Sequence, residues 1–555
     1  MVKKGKNLSY NNLYKKKKKA ELEEVSVNDK NLEEEVLIEE NLDDGEVDTD
    51  ENIKEVNNIR EESSLKDKQN TPNPKSSKKV ILKNYFYNAI YQVFLIIVPL
   101  ITTPYVSRVL LPQGIGQYSF SLSLITYFTI FAALGSNLYG QREISKYQND
   151  KHKQSIVVWE VIIVRIFSTF ICLALNFIFY GFNAYGSYSL LMLIMSLNIF
   201  STIFDFSFVL MGNEDFGKLA IRNFIIKSLT VASIFVFVKT QNDVWIYTLI
   251  HSVMIVLSNL IFIPYVIKHI SRVKRSELHP KKIVVPILKL FLPTIIISIY
   301  TILDKTLVGL ILRDDAQNGF YEQTDKIIKI VLTLVTSLSA VMFSRNSEEK
   351  QKGNTKALKE NVYFATKIVY FIGLPLMFGT IAISKNINLW FFGEGYGEVI
   401  TLMMVCAPII MAIGLNNVTG VQYLIAIGRE NTFTKTVIIG AVINLMLSIA
   451  LIFLIGVAGA IISSVISELI ILIVQLIILR EEISIKKFLL SGWKNLLASV
   501  IMFGVLMVVQ SCMNSSILNT ILLILLGAFI YLVVVVALKD DFIKDFKRKV
   551  FKKGE

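Results

Sequence analysis

Ionisable side chains stand inside long apolar stretches of this 555-residue sequence. A charged group in an apolar span is costly to insert and usually faces a cavity or a partner group. The candidates are Glu160, Arg165, Asp205, His251, Lys289, Asp304, Lys305, Lys326, Lys329, Lys367 and Glu468. Basic groups exceed acidic ones in this set, so a cavity lined by them favours an anionic cargo.

Asp304 and Lys305 are the hardest of these charges to explain by lipid exposure. Neighbouring residues point about 100° apart round a helix, so both cannot face lipid cheaply. They lie eight or nine residues before Arg313, about 12 Å below the predicted outer end of their helix. Pro286 and Pro293 flank Lys289 in the same stretch and favour a kink. We expect a movable helix in which Lys305 attracts an anionic cargo and Asp304 balances it when the site is empty.

Simpler interpretations exist for several of these residues. Lys326 lies near the end of a span, where its long side chain reaches the interface. Glu160 and Arg165 are consistent with a structural pair, although their spacing of five is poor for one helical face. His251 is consistent with a hydrogen-bonded packing residue. For Asp304 and Lys305, the alternative to a cargo site is a local ion pair with a neighbouring helix that only holds the fold.

Composition separates a polar tail from a very apolar body. Hydrophobic residues make up 53% of the chain and charged residues 19%. Residues 1–80 carry 16 basic and 19 acidic residues and no periodic apolar pattern, which predicts a disordered cytoplasmic tail. A regulatory or docking arm is the alternative. The Lys15–Lys19 run is followed by acidic residues rather than an apolar segment, so it is not a signal peptide.

The remaining chain reads as fourteen membrane-spanning helices, each long enough for a ~30 Å hydrocarbon layer. The predicted spans are 85–106, 118–137, 156–180, 188–210, 222–238, 244–267, 283–312, 326–344, 361–384, 399–427, 436–455, 457–479, 493–512 and 517–538. Loops after even-numbered spans, with the C-terminal tail, hold 30 basic residues, and the opposite loops hold 5. Because basic loops stay cytoplasmic, both termini are predicted to lie inside. The outer loops are short, the longest running about 14 residues around 313–326 and 385–398.

Two short motifs recur six spans apart. Gly116-Gln117-Tyr118 matches Gly319-Phe320-Tyr321, and Gly212–Lys218 matches Gly428–Lys435 in the pattern Gly-x-Glu followed by Phe-x-Lys. Odd-to-odd matching preserves orientation, so the repeat is parallel, a transporter design with a central cavity. The predicted divisions are a tail 1–80, a half 81–267, a linker 268–282, a half 283–480, and two further helices with a basic tail, 481–555.

The three cysteines, Cys172, Cys406 and Cys512, lie in apolar runs and are expected to be small buried hydrophobes. The four histidines show no ligand spacing. No metal or other cofactor is therefore expected.

Three segments resemble the bacterial polysaccharide repeat-unit flippases, the Wzx or RfbX-type branch of the multidrug/oligosaccharidyl-lipid/polysaccharide exporter superfamily. They are Leu134–Lys146, Tyr300–Gly309 with Gly319–Glu322, and Asn417–Leu424. The similarity covers roughly residues 81–540 and looks closest to capsule and exopolysaccharide members of low-GC Gram-positive bacteria. One departure is Met342–Ser347, where relatives commonly show a Pro-Arg-Met-Ser-like end. The long acidic tail is also atypical.

The resemblance implies export of an oligosaccharide on a polyprenyl diphosphate, by alternating access, across the cytoplasmic membrane. It implies no catalytic residue, and its partners are lipids, the cargo, and a polymerase with chain-length machinery. The predicted cargo-binding cations are Arg142, Arg165, Lys289, Lys305, Lys326 and Lys367. The predicted coupling or charge-balancing acids are Asp205, Asp304 and Glu468.

Two other functions compete. A drug/cation antiporter of the same superfamily needs an acidic cavity, against which the basic excess argues. A membrane-embedded polymerase or glycosyltransferase needs acids or arginines on a sizeable outer loop, and the outer loops are short.

Overall fold

The computed structural model describes residues 74–540 and 542. The predicted tail 1–80 lies almost entirely outside the described residues, as does the basic tail after 542. Regular structure in the described part is helical, without a strand. The α-helices are α1 (Pro74–Ala133), α2 (Ser136–Lys146), α3 (Lys151–Gly181), α4 (Ser189–Ser201), α5 (Ser207–Gly212), α6 (Phe216–Phe237), α7 (Val244–Leu260), α8 (Ile263–His269), α9 (Pro280–Leu312), α10 (Asp315–Thr336), α11 (Ser339–Gln351), α12 (Thr355–Ile387), α13 (Gly397–Cys406), α14 (Ile409–Thr419), α15 (Glu430–Ile455), α16 (Val457–Ile478), α17 (Ile485–Leu490), α18 (Trp493–Ser511) and α19 (Ile517–Ala537). Two π-helices, Asn388–Phe392 and Gly420–Ile425, extend α12 and α14.

The predicted all-α, polytopic membrane fold is confirmed, and the count of fourteen is approximate. Twelve helical segments of the described residues are long and apolar enough to cross a membrane. The first of them, Ile96–Lys146, contains the end of the first predicted span and the whole of the second. The first span and most of the second lie in α1, which bends between them at Leu111 (φ 58°, ψ 174°). Helix α9, 33 residues long, corresponds to the seventh predicted span.

Polar side chains begin several of the helices. Asp150, Asn354 and Ser516 each accept a hydrogen bond from a backbone N–H in the first turn of α3, α12 and α19, at 3.0–3.2 Å. Such caps satisfy amides that have no partner within the helix. The shortest predicted connection between two spans is the single residue Gly456. It adopts φ 66° between α15 and α16, a conformation that glycine tolerates best.

Two predicted outer loops are much shorter than expected. Helix α10 begins at Asp315 rather than at 326, and helical structure after α12 continues to Phe392. Arg313 and Asp314 alone separate α9 from α10. Polar residues at the start of α10 therefore lie within the bundle, and Lys326, three turns into the helix, is not an end-of-span residue.

Apolar side chains cover much of the outer surface, as expected for helices facing lipid: Phe167, Phe453 and Leu454 are more than 70% exposed. Cys172 and Cys406 are buried as predicted, but Cys512 is exposed at the end of α18. The prediction for Cys512 was wrong because the helix ends at Ser511, where the chain leaves the apolar packing.

The described part of Lys83–Glu555 forms one compact unit. The division into two halves stays a prediction, and the terms N-terminal half and C-terminal half are used here for 81–267 and 283–480. The linker packs on the N-terminal half: the backbone N–H of His279 donates to Glu160 at 2.6 Å, and His152 contacts Glu277 at 2.5 Å. Glu160 thus binds the linker, and no ion pair with Arg165 is formed.

Candidate functional site

The two repeated glycines meet where the halves touch. A Cβ built on Gly116 of α1 falls 1.6 Å from the carbonyl oxygen of Asp315 and 3.0 Å from the amide of Gly319. A Cβ on Gly319 falls 2.1 Å from the carbonyl oxygen of Pro112. Both positions therefore require glycine for α1 and α10 to approach this closely. The contact lies at the end of the bundle predicted to face outside.

Hydrogen bonds surround this glycine contact. Gln323 donates to the Ser107 hydroxyl at 3.1 Å, and the Tyr396 hydroxyl donates to the Ser107 carbonyl at 3.1 Å. Arg108 donates to the carbonyl of Trp390. We call this region, Ser107–Gly116 with Asp315–Gln323 and Trp390–Tyr396, the outer seam. It closes one end of the interface between the two halves.

A charged cluster lies on α9 and α10 beside the outer seam. The Lys305 ammonium lies 2.6 Å from a Glu322 carboxylate oxygen and 2.9 Å from one of Asp325. Glu322 also accepts a hydrogen bond from Ser119 of the N-terminal half at 2.8 Å. All three charged side chains are 20% exposed or less. Lys305 is thus held between two carboxylates, not left open to a cargo.

Asp304 points away from Lys305 into the C-terminal half. It is 4% exposed and accepts hydrogen bonds from the hydroxyls of Ser448 (2.9 Å), Tyr321 (3.2 Å) and Ser464. Among the described residues no cationic side chain pairs with it. Asp304 and Lys305 do not balance each other, because their side chains diverge into different helix interfaces.

Glu468 on α16 is partly buried against α9 and α14. It accepts hydrogen bonds from Tyr300 at 3.0 Å and from the Asn416 side chain at 2.6 Å. Like Asp304, it is held by neutral donors, and no described lysine or arginine pairs with it. Protonation of either of these two carboxylates would therefore break no ion pair among the described residues of the C-terminal half.

A cavity of about 180 Å³ lies next to the outer seam, between α1, α6, α7 and α10. Its polar wall consists mainly of Lys227, His251, Gln323 and Lys326, and no carboxylate lines it among the described residues. We call it the cationic cavity. Within the described chain no carboxylate pairs with Lys227, and Lys326 is 3.5 Å from Glu322. Two ammonium groups facing one enclosed space can bind an anion.

His251 packs its ring against Tyr247 and Tyr118, with centroids 4.6 and 5.4 Å apart. The packing interpretation is thus correct for the ring. Its Nε2 atom, however, is buried without a hydrogen-bond partner among the described residues. This leaves a polar atom available to a ligand or water in the cationic cavity.

Arg165 and Asp205 belong to a separate polar cluster in the N-terminal half. The Arg165 guanidinium, 1% exposed, donates to Ser136 and Asn137 at 2.6 Å each and to the backbone carbonyl of Asp205. The Asn137 amide donates in turn to the Asp205 carboxylate at 2.7 Å. The Leu134–Lys146 segment therefore fixes this buried arginine in place.

Neighbouring cavities lie between the cationic cavity and the polar cluster of Arg165 and Asp205. A space of about 150 Å³ shares Lys227 and His251 with the cationic cavity and extends to Asn259. A third, of about 240 Å³, shares Asn259 and reaches Arg165 and Asp205. The N-terminal half thus contains a chain of polar spaces running inward from the outer seam.

The other predicted cations lie elsewhere. Arg142 and Lys289 are exposed, and Arg142 pairs with Glu143 at 3.0 Å. Lys367, partly buried, lines a cavity near α17 and α18. Of the six predicted cations, the structure places only Lys305 and Lys326 at the junction of the halves.

Three residues of the site were missing from the sequence prediction. Lys227 lies five residues after the predicted start of span five and satisfies the same criterion of a charge within a span. Glu322 and Asp325 were assigned to an outer loop because span eight was placed from 326 onward. Their spacing of three would have put them on one face of a helix had the start of α10 been recognised.

Comparison with known proteins bears on the whole body of the chain. A family model described as "Polysaccharide biosynthesis protein" matches residues 81–348. The protein named "Putative O-antigen transporter" from Escherichia coli (strain K12) is 24% identical over 73% of this chain and 98% of its own length. The "Probable low-salt glycan biosynthesis flippase Agl15" from Haloferax volcanii is 21% identical over 41% of this chain and 48% of its own.

This chain is therefore similar to the polysaccharide biosynthesis protein family over residues 81–348. The resemblance found in the sequence is confirmed, while the Gram-positive capsule origin stays a prediction. Two solved structures share the fold. "Lipid II flippase MurJ, inward closed conformation" matches 83% of this chain and 99% of its own at 19% identity, TM-score 0.67. An inward-facing MATE family transporter matches 70% and 97% at 17% identity, TM-score 0.54.

Within this chain, the three segments on which the resemblance is based have different structural roles. Leu134–Lys146 supports Arg165, and Gly319 with Glu322 builds the outer seam and its charged cluster. Asn417 and Gln422, from the third segment, form a polar group with Ser339 of α11. The departure at Ser344 leaves α11 a continuous helix from Ser339 to Gln351.

Proposed function

We propose that this protein moves a polyprenyl-diphosphate-linked oligosaccharide from the inner to the outer leaflet of the cytoplasmic membrane, for surface polysaccharide synthesis. It acts as a transporter and not as an enzyme, and both termini face the cytoplasm. The names of its relatives, which refer to O-antigen transport and to a glycan flippase, support this assignment. The repeat-unit polymerase and chain-length proteins are its expected partners.

One observation carries the proposal: an acid-free cavity with two lysines lies at the junction of the halves, beneath a closed seam. Lys227 comes from the N-terminal half and Lys326 from the C-terminal half. A diphosphate carries about two negative charges and binds best where several cations converge. Separation of the halves would pull these lysines apart, so the affinity for an anion changes with the conformation.

Glu322 connects this cavity to the seam. One carboxylate oxygen lies 3.5 Å from Lys326, and the other accepts hydrogen bonds from Lys305 and Ser119. A diphosphate that draws Lys326 away removes one neighbouring cation from Glu322, a carboxylate that is bound across both halves. Cargo binding and seam opening are coupled in this way, since a ligand shifts a conformational equilibrium by its different affinity for the two states.

The membrane potential favours the proposed direction. An inside-negative potential contributes about 2.3 kcal/mol per charge per 100 mV, so outward movement of two negative charges gains about 4–5 kcal/mol. The same field draws the emptied lysine pair back toward the inside. A coupling ion needs a titratable acid outside an ion pair, and Asp304 and Glu468 meet that condition.

Transport by proteoliposomes tests the proposal. The full-length protein is reconstituted with a fluorescent polyprenyl-diphosphate oligosaccharide, and arrival in the outer leaflet is measured with a membrane-impermeant quencher. Lys227→Gln and Lys326→Gln should each slow transport at least tenfold. Lys289→Gln, which removes an exposed lysine that does not line the cationic cavity, is the control. Unchanged transport in both cavity variants would refute the assignment of the site.

The antiporter alternative is tested in the same vesicles. A drug/cation antiporter would move an organic cation and would be indifferent to the loss of cavity lysines. Cation uptake that survives Lys227→Gln, with no movement of the diphosphate carrier in the unmodified protein, would favour that alternative.

A further inference from the structure

A basic pocket lies mostly outside the predicted repeat, near the C-terminal end of the chain. It has a volume of about 380 Å³ and sits between α12, α17, the start of α18 and the end of α19. Lysines dominate its polar wall, and Asp540 is the one carboxylate among the described lining residues. The lining lysines are Lys367, Lys486, Lys487 and Lys494. The charge count predicts that this end of the bundle faces the cytoplasm.

The pocket is built by fixed contacts. The buried ring of Phe488 anchors α17 in the core, and the Ser484 amide donates to the Tyr363 hydroxyl at 2.8 Å. The Lys487 ammonium lies 4.2 Å from the centroid of the Tyr363 ring. Lys494 donates to the carbonyl of Lys539, at the end of α19, at 3.1 Å. These contacts join α17 to α12 and α18 to the end of α19, so the four elements around the pocket are held in place.

The rim of the pocket is apolar and faces outward. Leu489, Leu490 and Trp493 are 49–54% exposed, and an exposed apolar surface continues along α18 through Leu497. Exposed tryptophan beside lysine is typical of the membrane–water interface. A ligand bound here thus has cations at one end and a lipid-facing apolar surface at the other.

We propose that this pocket binds the phosphate headgroup of an anionic phospholipid of the cytoplasmic leaflet, with the acyl chains along α18. Lys486 and Lys487 supply the charge, since neither forms an ion pair within the described chain. Basic pockets between membrane helices on the cytoplasmic side bind such headgroups. A free phosphate offers the same charge, but it would leave the apolar rim without a partner.

The lipid site lies apart from the cationic cavity. A negative result for lipid binding would therefore leave the proposed transport function unaffected. The test uses purified full-length protein titrated with phosphatidylglycerol, with bound lipid counted by native mass spectrometry. Lys486→Gln with Lys487→Gln should weaken binding about thirtyfold, the equivalent of about 2 kcal/mol for two lysines near an anionic surface. Phosphatidylcholine with the same acyl chains should bind equally to both proteins.

The matched control is Lys281→Gln with Lys282→Gln, which removes two adjacent exposed lysines at the start of α9. It should leave phosphatidylglycerol binding within threefold. The arginine pair, Lys486→Arg with Lys487→Arg, should retain binding and shows that charge rather than folding is measured. Equal losses in the two glutamine pairs would overturn the site, and full displacement by millimolar inorganic phosphate would overturn the lipid as its ligand.

Discussion

Gly319 offers a direct test of how the outer seam closes. Its Cβ position lies 2.1 Å from the carbonyl oxygen of Pro112, so Gly319→Ala cannot be accommodated by a side-chain rotation. Overpacking of this kind typically costs about 1–3 kcal/mol. If the strain exists only when the seam is closed, opening is favoured by about 5- to 150-fold. Local helix propensity predicts that Gly319→Ala stabilises the protein instead, because alanine is favoured over glycine in a helix interior by about 0.5–1 kcal/mol.

Labelling of a buried seam residue measures this shift. Ser107 is fully buried in the seam. In a Cys512→Ser background, Ser107→Cys should react slowly with a membrane-impermeant maleimide added from outside. Gly319→Ala should accelerate that reaction about 5- to 150-fold. Gly379→Ala is the control, since a Cβ there meets nothing within 4 Å.

Two results would refute the reasoning about the seam. Equal labelling rates in the Gly319→Ala and Gly379→Ala proteins would show that the glycine contact does not hold the end closed. Acceleration in both would show a general loosening of the helices. Gly116→Ala, whose Cβ would lie 1.6 Å from a backbone carbonyl, should act in the same direction and at least as strongly.

Three further predictions follow from individual side chains. Lys305→Gln removes the cation shared by two partly buried carboxylates, each of which keeps one other lysine nearby, and should destabilise the protein by about 1–3 kcal/mol, seen as a lower Tm; added Glu322→Gln should recover most of the loss, and no recovery would contradict the pairing. Asp304→Asn should keep normal protein levels but make transport insensitive to an imposed H⁺, Na⁺ or K⁺ gradient, whereas retained sensitivity would exclude Asp304 as the coupling acid. In intact cells a membrane-impermeant maleimide should label native Cys512 from outside and not the Cys512→Ser protein; labelling only after permeabilisation would reverse the predicted topology.

Much of the fold was predictable because lipid imposes a simple rule on sequence. Spans of sufficient length and hydropathy follow from composition, and even the short boundary at Gly456 was correct because glycine tolerates φ 66° there. Span eight was misplaced for a physical reason. The first turns of α10 are polar, since they face the other half across the seam, and a hydropathy pattern assigns such residues to water.

The site was only partly predictable, because a charge in a span shows that a partner exists but not which one. The angle between Asp304 and Lys305 implied only that both could not face lipid, and the expectation that Asp304 balances Lys305 did not anticipate their separate environments. The hydroxyls of Ser448 and Ser464 around Asp304 come from helices far away in the sequence. The carboxylates around Lys305 come from α10, the next helix, whose first turns were assigned to a loop. Lys227 needed no structural information, since it meets the criterion applied to the other lysines.

The three lysines at the junction of the halves differ in how many carboxylates pair with them, and this difference suggests different roles. Lys305 has two carboxylates, Lys326 has one at 3.5 Å, and Lys227 has none among the described residues. An anionic cargo must compete with the carboxylates that already pair with a lysine. The free energy that the cargo gains by binding a lysine therefore rises in the order Lys305, Lys326, Lys227. Under the proposed function, we therefore expect Lys227 to attract the cargo first. We expect Lys326, which would exchange Glu322 for the cargo, to transmit binding to Ser119 and the outer seam.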